Sequence, residues 1–124
     1  MLVRPEFGRV DDRKVDKPWG YELRWAITDR YAGKVLHVNK GEALSLQFHE
    51  RKDEHQYVIR GAVDVELGFE GAELTTRRMQ AGDTLHITPG TRHRITAVED
   101  TDIVEVSTPE LDDVVRLEDR YGRA

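Results

Sequence analysis

The sequence predicts one all-β domain, built as an antiparallel barrel or a double-sheet jelly roll. At 124 residues the chain suits a single domain. About nine short segments with alternating apolar residues follow one another at near-regular spacing, separated by turns rich in Gly, Pro and Asp. A short, charged segment, 111–120, is the only stretch whose pattern favours a helix.

Alternation of apolar and polar residues predicts each strand in turn. The strongest example is 19–27, in which Trp19, Tyr21 and Leu23 project from one face. The strands that follow are predicted at 34–40, 43–49, 54–60, 63–69, 74–79, 84–88, 92–98 and 102–108. Pro109 ends the sheet. We therefore expect an N-terminal arm at 1–18, the barrel at 19–109 and a C-terminal helix or tail at 110–124.

Composition argues against several classes of function. A net charge of -5 disfavours nonspecific nucleic-acid binding, which needs a basic face. The absence of cysteine excludes a disulfide framework and a Cys-based zinc site, so any metal must be held by nitrogen and oxygen. No apolar run approaches the ~20 residues of a membrane span, and the N-terminus lacks the apolar core of a secretory signal. We expect a cytoplasmic protein without nucleic-acid or membrane partners.

The stretch 41–61 carries the first set of candidate metal ligands. Gln47 and His49 are two residues apart in a predicted strand and therefore project from the same face. The polar run 50–53 predicts a hairpin turn, after which Glu54 can return over His49. An amide, an imidazole and a carboxylate suit Mn, Fe, Co, Ni or Zn.

A second motif, at 82–93, supplies another candidate ligand. Its Pro89-Gly90 turn starts a new strand whose second residue is His93. In an antiparallel barrel this strand can lie beside the one that carries His49. We expect His93 to complete the site.

The two motifs together resemble those of the cupin superfamily. The stretch 41–61 has the spacing of the first cupin motif. A glycine is followed by five residues, a ligand, one residue, a His, four residues, a Glu, six residues and a glycine. A later glycine and the pattern Pro-Gly-x-x-His complete the likeness. The resemblance implies a cupin barrel, a double-stranded β-helix, with Gln47, His49, Glu54 and His93 as ligands of a divalent transition metal.

A narrower likeness covers most of the chain. The segments KPWGY at 17–21, SLQFH at 45–49, EH at 54–55 and the tail 115–123 are similar to the mannose-6-phosphate isomerase domain of bifunctional type II isomerase and mannose-1-phosphate guanylyltransferase enzymes. This resemblance implies a small-molecule substrate, a sugar phosphate, and metal-assisted isomerisation. The usual core motif, Gln-x-His-x-His-Arg-x-Glu-His-Trp, is altered here by Arg51, Lys52 and Gln56.

Three residues are candidates for contact with the substrate. Lys52 replaces the Arg that the family uses in catalysis, so we assign it to holding the phosphate or assisting proton transfer. His86, on the strand before Pro89, is expected to line the site. Arg123, in the tail, is expected to fold back and bind an anion.

Alternatives stay open for the function. A His and carboxylate site with open positions also suits a metal-dependent oxygenase. The changes at Arg51, Lys52 and Gln56 suit a non-catalytic sugar or small-ligand binding module, or a cupin that binds metal weakly. His49 and His93 could also be ordinary polar core residues.

The parity of the central strands predicts a homodimer. If Gln47 and His49 face the interior, then Leu44, Leu46, Phe48, Tyr57 and Ile59 face outward. Such a face is too apolar to be left in water. We expect a second subunit or the N-terminal arm to cover it.

Overall fold

The strands of the computed structural model, which describes residues 4–69 and 71–123, form two antiparallel sheets. A 3-10 turn, Val10–Arg13, precedes them. The strands are β1 Lys14–Lys17, β2 Gly20–Ile27, β3 Ala32–Val38, β4 Leu46–Phe48, β5 Glu54–Arg60, β6 Ala62–Gly68, β7 Thr75–Gln80, β8 Thr84–Ile87, β9 Arg92–Ala97, β10 Thr101–Ser107 and β11 Val115–Glu118.

The sheets correspond to the double-sheet form of the prediction. One has six strands in the order β1-β2-β3-β10-β5-β8, and the other has five in the order β11-β4-β9-β6-β7. The all-β fold is confirmed. Within the described residues the hydrogen-bonded ladders do not join into one closed barrel. No helix in this part of the chain is long and apolar enough to cross a membrane.

The expected C-terminal helix is wrong. The segment 115–118 forms β11 instead, with Val115 opposite Phe48 and Arg116 opposite Gln47. An isolated helix of this length is marginal in water, whereas pairing with β4 satisfies main-chain groups on both strands. The segment predicted as an arm, 1–18, begins outside the described residues, and its last part forms β1, which pairs with β2 at a sheet edge.

The interior between the sheets changes character along the strands. On β5, the inward-facing residues are Glu54, Gln56 and Val58, and all three are buried. The two polar residues lie nearer the start of the strand. On β10, buried Ile103 is followed by buried Glu105. Apolar burial at one end therefore stabilises the fold, while the other end holds charged groups that need partners.

The outer-face prediction holds for β5 but not for β4. Tyr57 and Ile59 are about half exposed, at 47% and 49%, and Val106 on the neighbouring strand is 47% exposed. Leu46, which we expected to face outward into a partner, is only 5% exposed. The chain itself therefore covers this residue, and the homodimer stays a prediction.

Candidate metal centre

Three of the four predicted metal ligands meet in the interior. His49 follows β4, Glu54 begins β5, and His93 is the second residue of β9. One possible ligand atom from each lies within 4.8 Å of the others, and the three residues are 4%, 2% and 3% exposed. Ionisable side chains that are buried so close together need a partner of opposite charge.

Hydrogen bonds orient both imidazoles toward the carboxylate. His49 Nδ1 donates to the carbonyl oxygen of Asp113 at 2.6 Å, and His93 Nδ1 donates to that of Thr91 at 2.9 Å. Since a carbonyl can only accept, each Nδ1 carries a hydrogen, and the Nε2 of each ring faces inward toward Glu54. Glu54 Oε1 lies 2.9 Å from one Nε2 and 3.6 Å from the other.

This arrangement fits a divalent metal. Two Nε2 atoms and a carboxylate oxygen that converge on one point can share a cation, and imidazoles fixed through Nδ1 to a carbonyl are typical of metal ligands. The other carboxylate oxygen, Glu54 Oε2, is also buried, and the charged Nζ of Lys52 lies 3.9 Å from it. Nitrogen and carboxylate donors without sulfur suit Zn, Mn, Fe, Co or Ni.

Protonation favours the same interpretation. Burial lowers the pKa of His93, although the Glu54 carboxylate opposes the change. Burial alone would raise the pKa of Glu54, but hydrogen bonds from Glu105 and His49 and the charge of Lys52 hold it below its usual value. A neutral imidazole and an ionised carboxylate are the forms that bind metal.

Gln47 lies beside the cluster. It is directly opposite His93 in the pairing of β4 with β9, so the two side chains share a face. Its Oε1 accepts a hydrogen bond from Ser45 Oγ at 2.7 Å. The role of Gln47 as a fourth ligand stays a prediction.

A buried lysine and a second glutamate adjoin the cluster. Lys52 is 6% exposed, with its Nζ 3.3 Å from Glu105 Oε2 and 3.9 Å from Glu54 Oε2. Burial and the neighbouring Glu54 carboxylate raise the pKa of Glu105 to about 8. Glu105 thus holds a proton near neutral pH while Glu54 is ionised. Sequence reasoning missed Glu105, although its place two residues from Ile103 on a strand indicated an inward charge.

A cavity of about 100 Å³ opens beside this cluster. His49, Gln47 and Glu105 line it, together with apolar side chains that include Trp19 and Leu44. The cationic residues of its wall are Lys17, Arg24, Lys34, Lys52, Arg116 and Arg123. A ligand in this cavity would therefore contact His49, one of the three clustered side chains, and a concentration of positive charge.

Two of the three predicted substrate-binding residues lie at the cavity. Lys52 and Arg123 line the cavity, whereas His86 does not. His86 is paired with His55 across β8 and β5, its ring stacks on that of His55 at 4.1 Å, and its Nε2 donates to Asp53 Oδ1 at 2.7 Å. Since Glu54 faces inward, this neighbouring pair faces outward. The expectation that His86 lines the site is not met.

Asp113 organises the loop that carries Lys52. Its carboxylate accepts hydrogen bonds from the main-chain N–H groups of Glu50, Arg51 and Lys52 at 3.0, 2.7 and 2.8 Å. Its carbonyl oxygen accepts from His49. Nothing local in the sequence pointed to this residue, because its partners lie about 60 positions away.

Comparison with known proteins places this site in a family. The family described as "Mannose-6-phosphate isomerase C-terminal" matches residues 8–119. The chain is 34% identical over 116 residues to the mannose-1-phosphate guanylyltransferase ManC of Salmonella typhimurium, covering 90% of this chain and 23% of that protein. Identity to the xanthan biosynthesis protein XanB of Xanthomonas campestris pv. campestris is also 34%, over 90% of this chain and 24% of XanB.

Solved structures agree on the fold. KdgF from a Halomonas species matches with a TM-score of 0.71 and 28% identity, covering 87% of this chain and 98% of KdgF. Bacillus subtilis oxalate decarboxylase matches with a TM-score of 0.80 over 94% of this chain and 33% of its own, but at 19% identity it shows the fold alone. The chain spans about a quarter of the length of the curated relatives it matches. Its cupin fold and the match along nearly all its length show that it belongs to the mannose-6-phosphate isomerase C-terminal family.

Proposed function

We propose that the chain binds one divalent transition metal and isomerises a sugar phosphate of the mannose 6-phosphate type. The observation that supports this most is the convergence of His49, Glu54 and His93 next to a cavity that His49, Lys52 and Glu105 line. The relatives' names and the family description point to the same class of substrate. Mannose 6-phosphate is therefore the first substrate to test.

The side chains of the cavity suit this chemistry. Isomerisation of an aldose to a ketose moves a proton between neighbouring carbons while negative charge builds on an oxygen. A divalent cation held by His49, Glu54 and His93 would supply Lewis acidity toward that oxygen. Lys52 donates N–H groups beside the same ligands and stabilises that charge. Glu105, the nearer carboxyl group to the lysine, holds a proton near neutral pH and is placed to donate it to that oxygen as the charge builds.

The test is an isomerase assay with metal-loaded protein. Mannose 6-phosphate should yield fructose 6-phosphate, and Lys52→Met should abolish turnover while the metal content remains that of the wild type. Lys40→Met, which removes an exposed lysine outside the cavity, is the matched control. Absence of turnover across a panel of phosphorylated aldoses would reject the substrate assignment.

A second candidate rests on the ligand set itself. Two histidines and one carboxylate also form the site of non-haem iron oxygenases. Oxygen uptake by the iron-loaded protein, with no isomerisation, would favour this candidate. Retention of a carbohydrate with neither reaction would favour a non-catalytic binding module.

The same proposal includes a homodimer formed through the outer face of the six-stranded sheet. Trp25, Tyr57, Ile59 and Val106 are each about half exposed there. Burying such apolar side chains against a second copy would stabilise the pair. Light scattering should give twice the chain mass at micromolar concentration, whereas the mass of one chain would count against the dimer.

A further inference from the structure

We propose that the cavity contains an anion subsite that binds the dianionic phosphate of a phosphate monoester through Lys17, Lys34 and Arg123, with Arg24 in support. This inference rests on the proposed function only in taking the ligand to be a sugar phosphate. Recognition of the phosphate itself requires neither the metal nor catalysis.

Charge is distributed unevenly between the cavity and the rest of the molecule. The whole chain carries a net charge of -5, yet the cavity wall holds six lysine and arginine side chains against two carboxyl groups, Glu22 and Glu105. Four of the six come from separate parts of the chain: β1, β2, β3 and the C-terminal tail. Folding has therefore gathered like charges that repel one another, an arrangement that a bound anion would stabilise.

The carboxylates of the wall neutralise these cations only in part. Glu22 is shared between Arg24, whose Nε lies 2.7 Å away, and Lys34, whose Nζ lies 3.4 Å away. Lys34 is itself buried, at 6% exposure. Glu105 is occupied by Lys52 at 3.3 Å. Glu22 thus serves Arg24 and Lys34, and Asp119 pairs with Arg123, so the four cations Lys17, Arg24, Lys34 and Arg123 face only two carboxylates.

Lys17 is the residue of this wall best placed to pair with an anionic ligand. It is half-buried and has no ion-pair partner within 4.0 Å in the part of the chain that the structure describes. Burial lowers its pKa, Glu22 opposes this, and the charges of Arg24, Lys34 and Arg123 lower it further. Lys17 and these three cations line the same cavity and can therefore act on one ligand.

Arg123 brings a planar guanidinium to the same place. Asp119 holds it by hydrogen bonds of 3.0 and 3.1 Å, which fixes its orientation at the cavity. A guanidinium has five N–H donors, so those that Asp119 does not use can donate to phosphate oxygens. The cavity, at about 100 Å³, is small, so a compact dianion suits it.

The experiment is titration calorimetry of metal-free protein with inorganic phosphate at low ionic strength. Wild type should bind phosphate with a millimolar or lower Kd, and Lys17→Gln should weaken binding about tenfold, as expected for loss of one charge-assisted contact. Arg123→Gln should weaken it to a similar degree. Thermal unfolding checks that each variant is folded.

Lys14→Gln is the matched control, because it removes one positive charge from the same strand at a residue that does not line the cavity. It should change the Kd by less than about twofold. The inference is overturned if wild type shows no binding at about 10 mM phosphate, or if folded Lys17→Gln binds as wild type does or is weakened no more than Lys14→Gln.

These results separate the subsite from the isomerase. Phosphate binding that depends on Lys17, together with no turnover of any sugar phosphate, would reject the proposed function and leave the subsite standing. Turnover of mannose 6-phosphate with the same KM in wild type and Lys17→Gln would reject the subsite and leave the isomerase standing.

Discussion

His49 donates its Nδ1 hydrogen to the carbonyl oxygen of Asp113 at 2.6 Å, and this bond ties the ligand loop to the C-terminal segment. The Asp113 carboxylate holds the following three residues through their main-chain N–H groups. One residue outside the cupin motifs therefore fixes both the orientation of a metal ligand and the loop that carries Lys52.

Asp113→Ala should weaken metal binding without removing any ligand. The loop 50–52 loses three charge-assisted hydrogen bonds, so His49 is held less firmly, and metal affinity should fall about ten- to a hundredfold. Titration of the metal-free protein with Zn²⁺ measures this. Asp112→Ala, at the exposed neighbour, should retain wild-type affinity. Equal affinity in Asp113→Ala and wild type would show that the loop holds its conformation without the carboxylate.

Glu105 should make the metal-free protein less stable as pH rises. Its pKa is raised from 4.5 to about 8 in the folded state, so the stability it contributes is present below about 4.5 and is lost as pH rises through about 8. The loss is at most about 1.4 kcal/mol per pH unit.

Urea unfolding at pH 5.5 and pH 8 tests this dependence. Glu105→Gln, which keeps the shape and removes the titration, should lose less stability between the two pH values than wild type does. Parallel pH profiles for the two proteins would mean that Glu105 does not hold the proton.

Gly61→Ala should destabilise the fold. Gly61 has φ +95°, and an added Cβ would lie 2.5 Å from the carbonyl oxygen of Asp100. Gly90 has a similar φ of +85°, but nothing lies within 4 Å of its added Cβ. Gly90→Ala therefore carries only the backbone strain, about 1 to 3 kcal/mol, and Gly61→Ala should cost more. Chemical unfolding of both variants measures the difference, and equal losses would remove the steric part of this explanation.

Local pattern was enough to predict much of this molecule. The alternation in 54–60 gave the inward face of Glu54 and the outward face of Tyr57, both of which the structure confirms. The spacing from His49 to His93 gave three residues that do meet. These features depend on strand periodicity and turn chemistry, which are determined by residues close together in the sequence.

Features set by distant pairing could not be predicted in this way. The segment 115–118 has no strong strand pattern, and it is extended because β4 offers it a partner. His86 faces outward because of its register with His55, which no local motif specifies. Glu105 and Asp113 act as single carboxylates whose partners lie more than 50 positions away.

The most direct test of the metal centre is the stoichiometry and affinity of metal binding to metal-free protein. Wild type should bind one Zn²⁺ or Mn²⁺ per chain, Glu54→Gln and His93→Ala should each lose at least about a hundredfold in affinity, and His86→Ala should bind as wild type does. Equal binding by all four proteins, or no binding by folded wild type, would contradict a metal centre at His49, Glu54 and His93.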